Sequence, residues 1–195
     1  TMSKNAEKNV ESAKTKWKVA IRRTGDNGEE LNVVQLYRSD IHMGDNDRVG
    51  TDYLYMKRYL FEFGAHRRSL RLHIIYREDI DHCLHDHPWA FWALVLWGGY
   101  VEEIPNLSRI GPIIFPDQEY GFPFRKEVIV KPFRIYKRPG SYKHRIVRLL
   151  KRFSVSLIYA GPIENHWGFY TKHGKEEWEN FVEKDQPTRV GWCAT

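Results

Sequence analysis

His82-Cys83-Leu84-His85-Asp86-His87-Pro88-Trp89 is the stretch on which the fold turns. In an extended chain, residues two apart point to the same face. His85 and His87 therefore project together and Asp86 faces away. Two imidazoles on one face of a strand suit a first-row metal ion. Further along, Arg138-Pro139-Gly140-Ser141-Tyr142-Lys143-His144 is a Pro-Gly turn feeding a strand that begins with another His.

Around these two segments the chain alternates short apolar runs with turn residues. Strands are expected over 53–63, 70–76, 92–97, 101–104, 110–115, 128–131, 133–136, 144–149 and 154–159. Gly98-Gly99 between two of these runs is a hairpin signal. Pro and Gly punctuate the remainder, from Pro105 through Gly161-Pro162. Many short strands with regular turns indicate a sandwich or barrel rather than βαβ units. Residues 1–50 differ. A helix is expected over 5–18, where Ala6, Val10, Ala13 and Trp17 recur at helical spacing, followed by a turn at GDNGEE. The expected organisation is an N-terminal extension (1–50), a β-barrel domain (51–185) containing one short helix over 175–182, and a tail (186–195).

The chain has 195 residues, of which 42% are hydrophobic, enough for one domain with a packed core. A wholly disordered chain is excluded on that ground. The longest apolar run, 88–100, is too short to span a bilayer, so no membrane partner is expected. Residues 1–18 are polar and charged and lack the apolar core of a secretory signal. Cys83 and Cys193 do not make a disulfide framework, and a reducing, cytoplasmic location is the simpler expectation. The net charge of +6 favours an anionic partner: a small anionic substrate, or nucleic acid, which is not favoured because no nucleic-acid motif is present.

The order of these features resembles the two half-motifs of the cupin superfamily: His-x-His near a strand start, a strand ending in Gly, then a Pro-Gly turn followed by His. More narrowly, His85-Asp86-His87-Pro88-Trp89, Leu96-Trp97-Gly98-Gly99-Tyr100-Val101-Glu102 and Gly161-Pro162 with Trp167-Gly168-Phe169 resemble small bacterial and phage-associated cupin-like proteins with an HDHPW motif. The resemblance covers residues 53–178. It implies a mainly β fold, a cupin-type double-stranded β-helix (jelly-roll) barrel. It also implies one divalent metal ion held by His85, His87 and His144, and barrels that pair as a homodimer through edge strands. It supplies no reaction. Where the superfamily pattern carries a Glu, this chain has Phe91 or Trp92, neither of which can ligate. Glu102, on the same strand face as Tyr100, is the candidate fourth ligand; a three-His site with open positions is the alternative.

If His144 faces inward, Ile146 and Arg148 share its side of the strand, which makes Arg148 the candidate anion-binding group, with Lys143 beside it. Trp89 and Trp167 are candidate pocket or rim aromatics, and Tyr100 or Glu102 can transfer protons. His73, within Leu72-His73-Ile74, reads as a hydrogen-bonded interior residue. The leading function is a non-haem Fe(II) oxygenase or dioxygenase. Asp86 is offset by one from the His-x-Asp pattern of 2-oxoglutarate oxygenases, so a 2-oxoglutarate requirement is not expected. Second stands an isomerase, epimerase or lyase using Zn or Mn as a Lewis acid; Ni is a further candidate metal for the site. Third is a non-enzymatic module that binds a small ligand or nucleic acid, the latter through the basic cluster from Lys137 to Arg152, with the metal structural or absent.

Overall fold

The computed structural model describes residues 13–24, 30–44, 52–63, 68–79, 82–106, 108, 124–183 and 193. Alternation of buried and exposed residues builds strands through most of them. In chain order these are β1 (Ala13–Thr24), β2 (Glu30–Gly44), β3 (Asp52–Phe63), β4 (Arg68–Ile75), β5 (Leu84–His85), β6 (Phe91–Trp97), β7 (Tyr100–Pro105), β8 (Arg125–Val130), β9 (Ile135–Arg138), β10 (Arg145–Leu149), β11 (Ser154–Ala160), β12 (Gly168–Thr171) and β13 (Gly174–Glu177). One short helix, α1 (Trp178–Glu183), follows. It begins later than the sequence suggests, because Gly174–Glu177 pairs with β12 instead.

Eight of the strands define the topology. One sheet runs β1-β2-β3-β4-β11-β6-β9, so its inner part is β4-β11-β6-β9. The opposing sheet runs β10-β7-β8. Its fourth member, β5, joins at β10 through an antiparallel bridge between His85 and His144. From β4 to β11 the chain thus crosses between two sheets, β4-β11-β6-β9 and β5-β10-β7-β8, at every step except the β7–β8 hairpin. That order is the double-stranded β-helix, or jelly roll. The fold is mainly β and antiparallel, as the pattern of short strands indicates. The expected strand over 110–115 lies outside the described residues.

Two expectations need correction. The hairpin expected at Gly98-Gly99 is a corner. β6 and β7 do not pair with each other but lie in different sheets. Both glycines have positive φ, 77° and 82°, and a side chain on Gly98 would collide with the Phe153 carbonyl. Only glycine turns the chain this sharply between layers. The helix expected over 5–18 is a strand from residue 13 on, and 5–12 lie outside the described residues. Lys14, Lys16 and Lys18 alternate with Thr15, Trp17 and Val19 at period two in the sequence, and β2 supplies an antiparallel ladder from Ala13 to Thr24 with two register shifts. Pairing with a neighbour outweighs weak local helix preference.

Tyr55, Met56, Ile75, Val95, Tyr100, Val130 and Ile146 form the core between the two sheets. A second cluster lies under β12 and α1, where Cys83, Phe169, Phe181 and Cys193 are buried with Trp167 and Trp178 against them. Here the cysteine expectation is overturned. Cys83 and Cys193 form a disulfide across 110 residues of sequence. The second cluster brings the C-terminal Cys193 against the segment just before β5, a proximity that sequence distance conceals. The pairing removes the ground for expecting a reducing compartment. No helix among the described residues is long and apolar enough to cross a membrane.

Closing a loop of this length stabilises by about 4–5 kcal/mol in the chain-entropy account. Reduction should therefore lower the thermal midpoint of the wild-type protein clearly. Cys193→Ser should start from the lower value and stop responding to reductant. A wild-type midpoint indifferent to dithiothreitol would show that the bond contributes nothing.

Candidate metal centre

The three histidines are positioned by backbone pairing. His85 and His144 exchange both main-chain hydrogen bonds, at 2.9 and 3.0 Å. Their side chains consequently sit next to each other on one face. His87, two residues on, donates its N–H to the Gly140 carbonyl at 2.9 Å. Gly140 is tightly enclosed: a Cβ there would lie 3.1 Å from the His87 carbonyl oxygen and 3.2 Å from the Trp89 carbonyl carbon. The Pro-Gly turn thus lets two loops meet and brings His87 toward His144. Asp86 points the other way, as alternation requires. It is 1% exposed and accepts from the Gly168 N–H at 2.8 Å, the Tyr170 hydroxyl at 2.9 Å and Lys175 Nζ at 2.7 Å. This carboxylate ties the motif to β12 and β13.

One ring nitrogen from each of His85, His87 and His144 lies within 4.8 Å of the others. His87 Nε2 and His144 Nε2 are 2.9 Å apart. Bonds of about 2.1 Å from one metal ion to two imidazoles place the nitrogens about 3 Å apart when the bonds are at right angles. The donor set therefore fits one first-row ion. Burial lowers the His85 pKa to about 4 and pushes that of His87 well below its ordinary value, with nearby histidines adding to the effect at both. Both rings are neutral near pH 7 and offer a lone pair.

Glu102 fixes the third ring. Its Oε2 is 2.9 Å from His144 Nδ1. A carboxylate held ionised accepts from Nδ1–H, which leaves Nε2 as the free nitrogen. The other oxygen of Glu102 accepts from Arg138 Nη2 at 2.7 Å and from the Tyr142 hydroxyl. Burial works against this charge, but the bonds from His144 and Tyr142 and the charge of Arg138 outweigh it and hold the pKa below the usual range. With both oxygens engaged, Glu102 stands behind His144 instead of joining the ligand group, which corrects its reading as a fourth ligand. Tyr142 and Arg138 were not singled out from sequence. Nor was Asp79, a buried carboxylate that accepts from the Ile146 N–H at 2.7 Å and from the Tyr55 hydroxyl, and whose charge reaches His85. Their partners are distant in sequence, and no local pattern marks them.

The remaining sequence candidates are placed unevenly. Tyr100 is buried in the main core, and burial followed by the Glu102 charge raises its pKa, so its phenol stays protonated. Arg148 is not an interior anion-binding group. A bulge between Ile146 and Arg148 shifts the alternation by one, and its side chain is 62% exposed beside Glu127. Lys143 precedes His144, so it faces the opposite side, with Nζ 4.7 Å from the centre of the Tyr170 ring. Trp89 lies under the Arg71 guanidinium, 3.8 Å from ring centre to Cζ. Trp167 stacks on Trp178 at 5.5 Å and reaches the centre only through Phe169, whose ring lies 5.7 Å from His85. Phe91 meets His87 edge-on at 4.9 Å. His73 is buried and accepts from Arg58 Nε at 3.2 Å, the interior role its setting suggested.

No family model and no curated protein sequence matches this chain. Solved structures that resemble it include a hydroxypropylphosphonic acid epoxidase from S. wedmorenis, at 10% identity and TM-score 0.36, covering 55% of this chain and 50% of that one. A cupin domain from Bordetella pertussis Tohama I matches at 10% identity and TM-score 0.36, covering 57% of this chain and 99% of that one. The DMSP lyase DddQ from Ruegeria pomeroyi DSS-3 matches at 14% identity and TM-score 0.38, covering 80% and 64%. The chain thus spans about half the length of the epoxidase. Identity this low carries no function across; the chemistry must come from the site itself.

Two measurements check this geometry. His144→Ala should abolish metal uptake. Glu102→Gln should weaken it about 10- to 100-fold, the usual cost of losing a carboxylate behind a ligand. His73→Ala should leave it intact; equal loss in all three, measured by titration calorimetry, would remove the distinction drawn here. The second concerns acid. His85 and His87 have folded-state pKa values below the unfolded value of about 6.5. Unfolding then takes up protons, so their contribution is fully present above about pH 6.5 and is lost as pH falls toward about 4. In chelator the thermal midpoint should decline through this window, and less steeply in a His85→Gln/His87→Gln variant.

Proposed function

We propose that this chain is a mononuclear metal-dependent enzyme of the non-haem Fe(II) oxygenase type, acting on a small anionic substrate. The carrying observation is the convergence of three imidazoles, each able to offer one nitrogen, with no carboxylate in the group among the described residues. Three nitrogen donors leave positions open for substrate and a second reactant. Fe(II) bound there supplies the capacity to bind and activate dioxygen.

The chain's own residues do the rest. Phe91 and Phe169 flank His87 and His85 and keep water from one side of the centre. Glu102 keeps His144 in the tautomer that presents Nε2, and Arg138 and Tyr142 keep Glu102 in place. Tyr100, in the main core with its pKa raised by burial, holds its proton through the neutral range and is a poor acid, and Glu102 is fully occupied, so neither serves as the proton donor. The same nitrogen donors suit Zn and Mn, which favours a redox-inactive lyase or isomerase as the second reading. Nucleic-acid binding is weakened as a reading. Within the basic cluster, Arg138 pairs with Glu102, Arg145 with Glu103 at 2.7 Å, and Arg148 lies near Glu127.

Elemental analysis of the purified protein, beside His85→Ala/His87→Ala, decides between these. Iron near one equivalent, lost in the double variant and accompanied by oxygen uptake with carboxylates or phosphate esters, is the expected result. Zinc or manganese lost in the variant would move the assignment to the second reading. Failure to take up Fe(II), Zn(II), Mn(II) or Ni(II) would exclude both.

A further inference from the structure

The inner face of the large sheet carries a polar row that the metal centre does not use. Ser39, Arg58, His73 and Ser156 are successive cross-strand partners on β2, β3, β4 and β11. Directly opposed residues share a face. This face is the interior one, because Met56 and Ile75, also opposed, belong to the main core and lie two residues along the same strands. Ser39 is 6% exposed, His73 8% and Ser156 2%. A transverse polar row inside a barrel is costly unless something satisfies it.

Part of the row is satisfied and part is not. Arg58 spends Nε on His73. Among the described residues no carboxylate forms an ion pair with Arg58, and the groups that favour its charge are the Tyr37 and Tyr55 phenols. The outer edge of its guanidinium fork is a pair of N–H donors of the geometry that oxyanions accept. Ser156 Oγ is buried with no hydrogen-bond partner among the described residues. Arg71 lies two residues from His73 on the same face, 7% exposed, with its guanidinium stacked on Trp89, just past His87-Pro88. Arg71 and His73 are also among the groups whose field reaches His87. Ile146, two residues from His144, belongs to the same core as Met56 and Ile75, so the polar row and the three histidines face one interior.

We propose that Arg58 and Ser156, with Arg71 beside them, form the subsite that holds the oxyanion group of the substrate, a carboxylate or phosphoryl group, while the remainder of the substrate faces His85, His87 and His144. This rests on the metal-enzyme reading above and replaces Arg148 as the anion-binding group. The Arg58 fork donates to two oxygens, and Ser156 donates its hydroxyl proton to one of them. His73 accepts from Arg58 and holds the fork in orientation.

Titration calorimetry on the full-length protein as purified, with acetate and with inorganic phosphate as probes, tests the subsite. One of the two should bind at one equivalent, and which one separates a carboxylate from a phosphoryl ligand. Arg58→Gln should weaken that binding at least about tenfold, as expected for losing a charged hydrogen bond. Ser156→Ala, too small a change to unfold the barrel, should weaken it several-fold. Arg148→Gln should leave it unchanged. Binding that is unaltered in Ser156→Ala and in a folded Arg58→Gln, or absent for both probes, overturns the subsite. Metal content measured on the same samples keeps the two ideas apart: full metal with no anion binding removes the subsite alone, and anion binding without metal removes the enzyme reading alone.

Discussion

The backbone bridge between His85 and His144 is the contact on which the rest depends. It is the junction that brings β5 alongside β10 and so completes the second four-stranded layer of the jelly roll. The same pair of N–H···O bonds sets two prospective ligands side by side. Fold closure and site assembly are therefore one event. A chain that fails to form this bridge loses both, and one that forms it needs only the next inward residue, His87, to complete the donor set. The short length of β5 follows: two residues suffice because β12 holds the other side through Leu84 and His85.

Three buried carboxylates rigidify this junction from three directions. Asp86 anchors it to β12 and β13, Asp79 to β10 and β3, and Glu102 to β7 and the Pro-Gly turn. A buried carboxylate without partners would cost several kcal/mol, so each persists only because two or three donors converge on it. The outcome is a candidate metal centre whose three histidines are held by groups that are themselves locked. Such preorganisation limits the freedom lost when an ion binds.

The sequence was informative wherever function follows from alternation or from a turn. His85, His87, Asp86 and the Gly140 turn are of that kind, and so are most strands, because period two and Pro-Gly punctuation are local properties. It misled where the deciding partner is distant. Gly98-Gly99 has the same local signature whether the following strand folds back on β6 or crosses to the other sheet. The sense of Arg148 hinges on a bulge that no pattern announces. Glu102 was placed on the correct face, but whether it ligates or supports is settled by Arg138 and Tyr142, 36 and 40 residues away. Cys83 and Cys193 carry the same lesson across 110 residues.

Charge balance inside the barrel links the centre to its substrate. With three imidazoles and no carboxylate in the donor group among the described residues, a divalent ion held there would keep its full charge. Glu102 cannot offset that charge freely, because Arg138 already neutralises it. Arg58 adds a further positive group on the opposite wall, with no ion-pair partner among the described residues. Burying positive charge without compensation is expensive in a low-dielectric interior. Residues that would neutralise the interior are thus committed elsewhere, and the missing negative charge is left for a ligand to bring. On the proposed subsite an anion would gain from both walls at once, while a neutral molecule of equal shape would gain from neither. The proposed preference for an anionic substrate would in this sense be a property of the whole interior, set by the all-imidazole donor group as much as by Arg58.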